Sequence, residues 1–419
     1  MTEMARYNAC YESLESALKK HLFNVIVPFW LSMQDSKSGG FYGLRTCDGL
    51  VVTESDKGSI LNSRILWFFA NCCTLIDSGL IGDADISGTG YSYHDLKQAA
   101  CSAYEFLRNS FLDRDLGGLY WSVSSDGRVS DPTKHTYGQA FAIYGLAAYF
   151  EVTGDPEARS LAFELFDIIE GKMRDPDGYL ESFDRNFNPE INDKLSENGV
   201  IADRTMNTLL HVMEAYTELY RVTGDKRVGD ALKQCLKIHI EHIWDEETER
   251  QKVFMDKDYN SIIDLYSYGH DMETSWLLDR TLEILDDPQI TSGYGDITHR
   301  MLKHVWHDAY DGSLANECEN GVIDHRRVWW VQAETVIGFV NEYMKTGDEA
   351  ALNNAVRTWE FIDKNIVMKT YPFEWYSEVD HSGNPDTMLP VADEWKCPYH
   401  NGRMCMEIIR RGARLNDPL

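Results

Sequence analysis

The chain has 419 residues, 43% of them hydrophobic and 26% charged, and a formal net charge of −28. So acidic a surface argues against nucleic acid and anionic membranes as partners, since both are gripped through basic side chains, and makes a neutral small molecule the easiest ligand. There is no run of eighteen apolar residues to span a bilayer.

Apolar residues recur at a spacing near 3.6, which predicts helices in chain order over roughly 5–34, 59–77, 93–112, 135–153, 156–174 and 205–223. The pattern continues over 225–245, 268–286, 295–310, 328–346, 347–367 and 398–412. Two punctuation signals repeat between these segments. Thr153-Gly154-Asp155, Thr223-Gly224-Asp225 and Thr346-Gly347-Asp348 suit a left-handed helix stop followed by an Asp cap on the next helix. Gly40, Gly118, Gly178 and Gly312 open tight turns into short extended segments. Their separations of 78, 60 and 134 residues suggest a unit repeated six times. The copy expected near Val253-Phe254 lacks its glycine.

Six helix pairs at this period suit a closed double ring, an all-α (α/α)6 barrel with short strands in the loops at one end. The segments typified by Gln139-Ala140-Phe141-Ala142-Ile143-Tyr144 are apolar most of the way round and are assigned to the inner ring. A single domain over 1–419 is expected, and a monomer. Met1-Thr2-Glu3-Met4-Ala5-Arg6 lacks a secretory pattern. Nine irregularly spaced cysteines form no disulfide framework, and Cys101, Cys235 and Cys405 on apolar faces read as plain buried thiols. A reducing cytoplasm is the expected compartment.

The inner helices start with polar residues, and in a closed ring those starts gather at one mouth. Asn207 and His211 share a helix face, as do His270 with Glu273, Trp330 with Glu334, and His400 with Arg403. Most of the thirteen histidines, His21 and His239 included, read as capped or partly exposed residues of the outer helices and turns. His135 competes with Tyr137 for the cavity. His211, His270 and His400 lie on three inner helices and converge there. Glu273 and Glu334 need a partner in so apolar a ring, and Arg64 is the natural one. Neither a metal motif nor a phosphate loop nor a dinucleotide fingerprint is found in the sequence, so no metal or cofactor is expected. Proton transfer by His and Glu suits this inventory.

Four strings then matter together: Asn62-Ser63-Arg64-Ile65-Leu66-Trp67, Ser267-Tyr268-Gly269-His270-Asp271, Trp329-Trp330-Val331-Gln332-Ala333-Glu334, and Trp395-Lys396-Cys397-Pro398-Tyr399-His400-Asn401-Gly402-Arg403. In this order they resemble the cellobiose 2-epimerases, within the N-acylglucosamine 2-epimerase group. The resemblance implies reversible C2 epimerisation of the reducing-end glucose in a neutral β-1,4-linked disaccharide. It implies that His270 and His400 exchange the C2 proton, that His211 opens and closes the ring, and that Arg64 sits near the sugar oxygens. It places Tyr137, Asn207, Trp330 and Trp395 against substrate, with Trp395 as a platform for the non-reducing sugar. Glu273 and Glu334 match carboxylates in or beside the site, and Glu273 is the candidate to orient His270. The alternatives are a monosaccharide enzyme of the same group (an N-acylglucosamine 2-epimerase or mannose isomerase) and an inverting glycosidase recruiting Glu273, Glu334 or Asp203.

Overall fold

The computed structural model of the chain describes residues 3–192, 194 and 199–416. Twelve helices form two concentric rings. The outer ring comprises α1 (Glu3–His21), α3 (Tyr93–Phe106), α5 (Pro156–Lys172), α7 (Lys226–Ile238), α9 (Ile297–Ala309) and α11 (Glu349–Phe361). The inner ring comprises α2 (Ser59–Asp77), α4 (Thr136–Thr153), α6 (Met206–Thr223), α8 (Tyr268–Leu285), α10 (Trp329–Thr346) and α12 (His400–Asn416). Each inner helix packs on the next, and α12 returns to α2, so the ring closes. Helices α3, α5, α7, α9 and α11 each back the inner helix before them, while α1 backs α12. There the Tyr11 hydroxyl donates to Ile408 O at 2.7 Å. This is the (α/α)6 barrel.

Helix α4 is buried because it is apolar all round. In α4 every residue from Thr136 to Tyr149 is buried. Helix α2 is long and apolar enough to cross a membrane by length and composition, but 89% of that stretch lies inside the barrel. Helices α2 and α4 approach closely at Gly145, where a Cβ would stand 2.6 Å from the Ser63 carbonyl oxygen.

The Thr-Gly-Asp joints behave as their sequence implies. Gly154, Gly224 and Gly347 take φ of 68°, 63° and 74°. The next residue, Asp155, Asp225 or Asp348, accepts a backbone N–H from two residues on at 2.8, 2.9 and 3.0 Å. Asp286 supplies a fourth, glycine-free copy at φ 47°. The turn sought near Val253-Phe254 lies earlier instead. Asp245 accepts from Glu247 N at 2.9 Å, and Glu249 takes the left-handed conformation at φ 53°.

At the other end, strands of two or three residues run straight into the inner helices, among them Lys57–Gly58, Lys134–His135, Arg204–Thr205, Leu265–Ser267 and Arg327–Val328. In four of these a cation stands two residues before the helix and reaches back to the turn after an outer helix. The pairs are Lys57–Asp35 at 2.8 Å, Lys134–Asp113 at 3.0 Å, Arg204–Asp175 at 2.7 Å and Arg327–Asp311 at 2.9 Å. These buried cations are invisible to a periodicity argument, yet they pin the helix starts that carry the chemistry. Four outer segments also end in π-helical turns: Leu22–Ile26, Leu107–Phe111, His239–Ile243 and Ile362–Ile366. One extra residue in a turn leaves the apolar pattern almost unchanged, so the long first and seventh segments read as unbroken helices.

Two smaller expectations are corrected. Cys235 and Cys405 are buried, but Cys101 is exposed. His21 and His239 are buried, not capped or half-exposed. The first accepts from Trp375 Nε1 at 2.7 Å, and the second lies 3.0 Å from Gln251 Oε1.

Candidate active site

The polar first turns of the inner helices meet in a cavity of about 380 Å³ at the strand-bearing end. Arg64 of α2, Tyr137 of α4, Asn207 and His211 of α6, and His270 and Glu273 of α8 face it. Trp330 of α10, Trp395 and His400 complete the set. Nine of the ten expected residues therefore line one cavity, and Tyr137 rather than His135 is the one that does so on α4. Glu334, expected to hold substrate, is the exception. It is wholly buried and stands behind His400.

The three histidines have different supports. His400 Nδ1 lies 2.7 Å from Glu334 Oε1. That oxygen also accepts from Arg403 Nη2 at 2.7 Å, and Glu334 Oε2 accepts from Trp276 Nε1 at 3.0 Å. Both oxygens are thus acceptors, so His400 carries its proton on Nδ1 and keeps Nε2 for the cavity. His211 Nδ1 lies 2.9 Å from Glu214 Oε2, which fixes the same tautomer. His270 Nδ1 meets no carboxylate. Its partner is the Ser267 hydroxyl at 2.7 Å. The expectation that Glu273 orients His270 is therefore corrected. At three residues' distance Glu273 turns toward the barrel axis, where Arg403 holds its Oε1.

Arg403, paired with His400 on one helix face in the sequence but given no role there, is the centre of the ion pairing. Its guanidinium bonds Glu214 at 2.5 Å, Glu334 at 2.7 Å, and Glu273, with Tyr399 beside it. One buried cation thus serves three carboxylates from α6, α8 and α10. Arg64, expected to be their partner, instead donates to Tyr137 Oη at 2.8 Å and to Trp395 O at 3.3 Å. Its Cζ lies 4.0 Å from the Phe141 ring centroid. The sequence held a usable signal: Arg403 is three residues after His400 and four after Tyr399, and Glu214 is three after His211. Glu273, Glu334 and His400 bring ligand-type atoms within 4.8 Å of one another, but Arg403 already bonds both carboxylates and is the cation of this cluster.

Burial and charge tune the groups in opposite directions. Burial pushes the His270 imidazole down to about 4, against the pull of Glu273. Burial also holds His400 well below the ordinary histidine range. Burial thus favours the neutral, base-competent form of each ring. Burial would raise Glu214, but Arg403, His211 and Tyr399 together hold it below the usual carboxylate range. Burial raises Tyr137 to about 12, so its hydroxyl stays protonated against the opposing pull of Arg64.

The aromatic rings frame the opening. The Trp330 indole lies 4.7 Å from the His270 ring and 5.4 Å from the His400 ring. Gly269 makes this possible, because a Cβ there would sit 2.7 Å from Trp330. Trp395 stands 5.8 Å from Trp121 and 6.1 Å from Tyr137, forming the opposite wall. Glu273 Oε2 and Asn207 Oδ1 are buried without a protein hydrogen-bond partner, and both residues line the cavity. They are acceptors suited to sugar hydroxyls.

An (α/α)6 barrel with two imidazoles lining a sugar-sized, aromatic-walled cavity is the framework of an acid–base enzyme acting on a carbohydrate. The sequence profile of the N-acylglucosamine 2-epimerase (GlcNAc 2-epimerase) family matches residues 39–401. A cellobiose 2-epimerase of Ruminococcus albus is 42% identical over 95% of this chain and 99% of its own length. One from Eubacterium cellulosolvens is 42% identical over 94% and 98%. The crystal structure of a sugar epimerase from a ruminal bacterium, 42% identical, superposes with a TM-score of 0.90 over 95% of this chain and 99% of that one. The chain belongs to the N-acylglucosamine 2-epimerase family and is a carbohydrate epimerase.

Proposed function

We propose that the protein epimerises C2 of the reducing-end glucose of β-1,4-linked disaccharides, converting cellobiose to glucosyl-mannose and lactose to epilactose, as one cytoplasmic catalytic domain acting as a monomer. The observation that carries the mechanism is the pair His270 and His400, on α8 and α12, both lining the cavity and both packed against the Trp330 ring.

His211, held by Glu214, assists opening of the pyranose ring, which frees the aldehyde and acidifies the C2–H. One histidine of the pair is neutral and takes that proton on Nε2. The C–H electrons pass into a cis-enediolate, whose oxyanion is met by Arg64. The other histidine carries a proton and returns it to the opposite face of C2. Each turnover therefore leaves the proton on the other member, and the roles exchange with direction. Trp395 supports the non-reducing sugar, while Tyr137, Asn207 and Trp330 hold the reducing end. Glu334 acts by holding His400. An inverting glycosidase needs a carboxylic acid and a carboxylate base across the scissile bond, whereas Glu273 and Glu334 share the Arg403 guanidinium and Asp203 does not line the cavity.

The test is the product formed from lactose in deuterium oxide, followed by NMR. Epilactose carrying deuterium at C2 is expected. His270→Ala and His400→Ala are each expected to cut the rate at least ~10³-fold while leaving the circular dichroism spectrum unchanged. Lactulose as the sole product would overturn the reading in favour of ketose formation, and release of free galactose would favour hydrolysis.

A further inference from the structure

Ser267 is the N-cap of α8, with φ −92° and ψ 95°, yet its side chain makes no capping hydrogen bond. A serine at that position ordinarily accepts a backbone N–H from the first turn. Thr205, at the equivalent start of α6, does so by accepting from Thr208 N at 3.0 Å. Ser267 instead turns its hydroxyl to His270 Nδ1 at 2.7 Å, and the residue is buried at the cavity wall. The cap of one helix has been given up to hold one histidine.

The choice of a hydroxyl matters because the partner of the opposite histidine is a carboxylate. Glu334 can only accept, so His400 Nδ1 always carries a proton. A hydroxyl can accept or donate. We propose that Ser267 is the positioning residue of His270, its hydroxyl oxygen accepting the Nδ1 proton and aiming Nε2 at C2 both in the neutral ring and in the imidazolium formed when Nε2 takes the C2 proton. The inference rests on the reading that His270 exchanges the C2 proton. It predicts a division of labour: an ionic carboxylate partner holds His400, and an uncharged hydroxyl holds His270.

The experiment uses the full-length enzyme with Ser267→Ala and Ser267→Thr, on lactose. Ser267→Ala is expected to lower kcat about 10- to 100-fold with KM within about two-fold, the range seen when a group that orients a catalytic histidine is removed. Its melting temperature should stay at the wild-type value, because no cap is lost. Ser267→Thr keeps the hydroxyl and should recover most of kcat. In 15N spectra of histidine-labelled ligand-free enzyme, the His270 nitrogens should shift in Ser267→Ala while those of His400 do not. A wild-type kcat in Ser267→Ala would overturn the proposal. So would a lowered melting temperature with unchanged kcat, the signature of an ordinary cap. The 15N comparison is independent of turnover: if His270→Ala remains active but the His270 signals still follow Ser267, the function reading fails while the contact stands.

Discussion

A buried carboxylate one residue from a proposed base offers a clean test of the local electrostatics. Asp271 is 3% exposed, accepts from Gln251 Nε2 at 2.8 Å, and is pushed up to about 7 by burial against that bond and Arg250. Its folded value lies above its unfolded one near 3.8. The stability it contributes is therefore complete below pH 3.8 and is lost as pH rises towards 7. Asp271→Asn keeps an acceptor for Gln251 but cannot ionise. The variant should match the wild type in melting temperature near pH 4, exceed it increasingly up to pH 7, and level off beyond. A difference independent of pH would contradict the burial argument. The same scale shows what a sequence conveys and what it hides. His211, His270 and His400 were legible because a closed ring forces the starts of inner helices together. The partners Glu214, Ser267 and Arg403 were not, because i,i+3 spacing permits a contact without choosing it. Glu273 illustrates the cost: its spacing from His270 allowed a bond that the stronger pull of Arg403 took away.

At the scale of elements, what matters is how closely neighbouring helices approach. Gly145 lets α4 meet the backbone of α2 at Ser63, one residue before Arg64. An added methyl group would stand 2.6 Å from a carbonyl that cannot rotate away. Gly145→Ala should therefore destabilise the protein by about 1–3 kcal/mol in urea unfolding, and should lower kcat as Arg64 shifts with its helix. Unchanged stability would mean that the two helices separate freely. The helices themselves were legible from periodicity, and the Thr-Gly-Asp joints from cap chemistry. The buried clamps Lys57–Asp35 and Lys134–Asp113 were not, since each cation sits in a short strand with no period of its own. Nor did periodicity reveal that α1 belongs behind α12, because the pattern within a helix says nothing of which neighbour covers it.

At the scale of the whole molecule, the formal charge of −28 opposes compaction. Raising ionic strength from 0.01 M to 0.15 M shortens the screening length from ~30 Å to ~8 Å. Like charges spread over the surface are screened more than close ion pairs are. The melting temperature at pH 7 should rise over that interval. A fall would show that surface ion pairs such as Arg221–Glu151 outweigh the net repulsion.

Closure of the ring by its last helix has a consequence in time. During synthesis α6, α8 and α10 emerge before α12, so Glu214, Glu273 and Glu334 come together with no guanidinium among them. Carboxylates so close disfavour one another's charged form until Arg403 supplies the opposite charge. His400 enters on the same helix, three residues ahead. The clasp that completes the barrel and the base that completes the proton exchange are delivered in one docking event, so a half-built ring performs no chemistry.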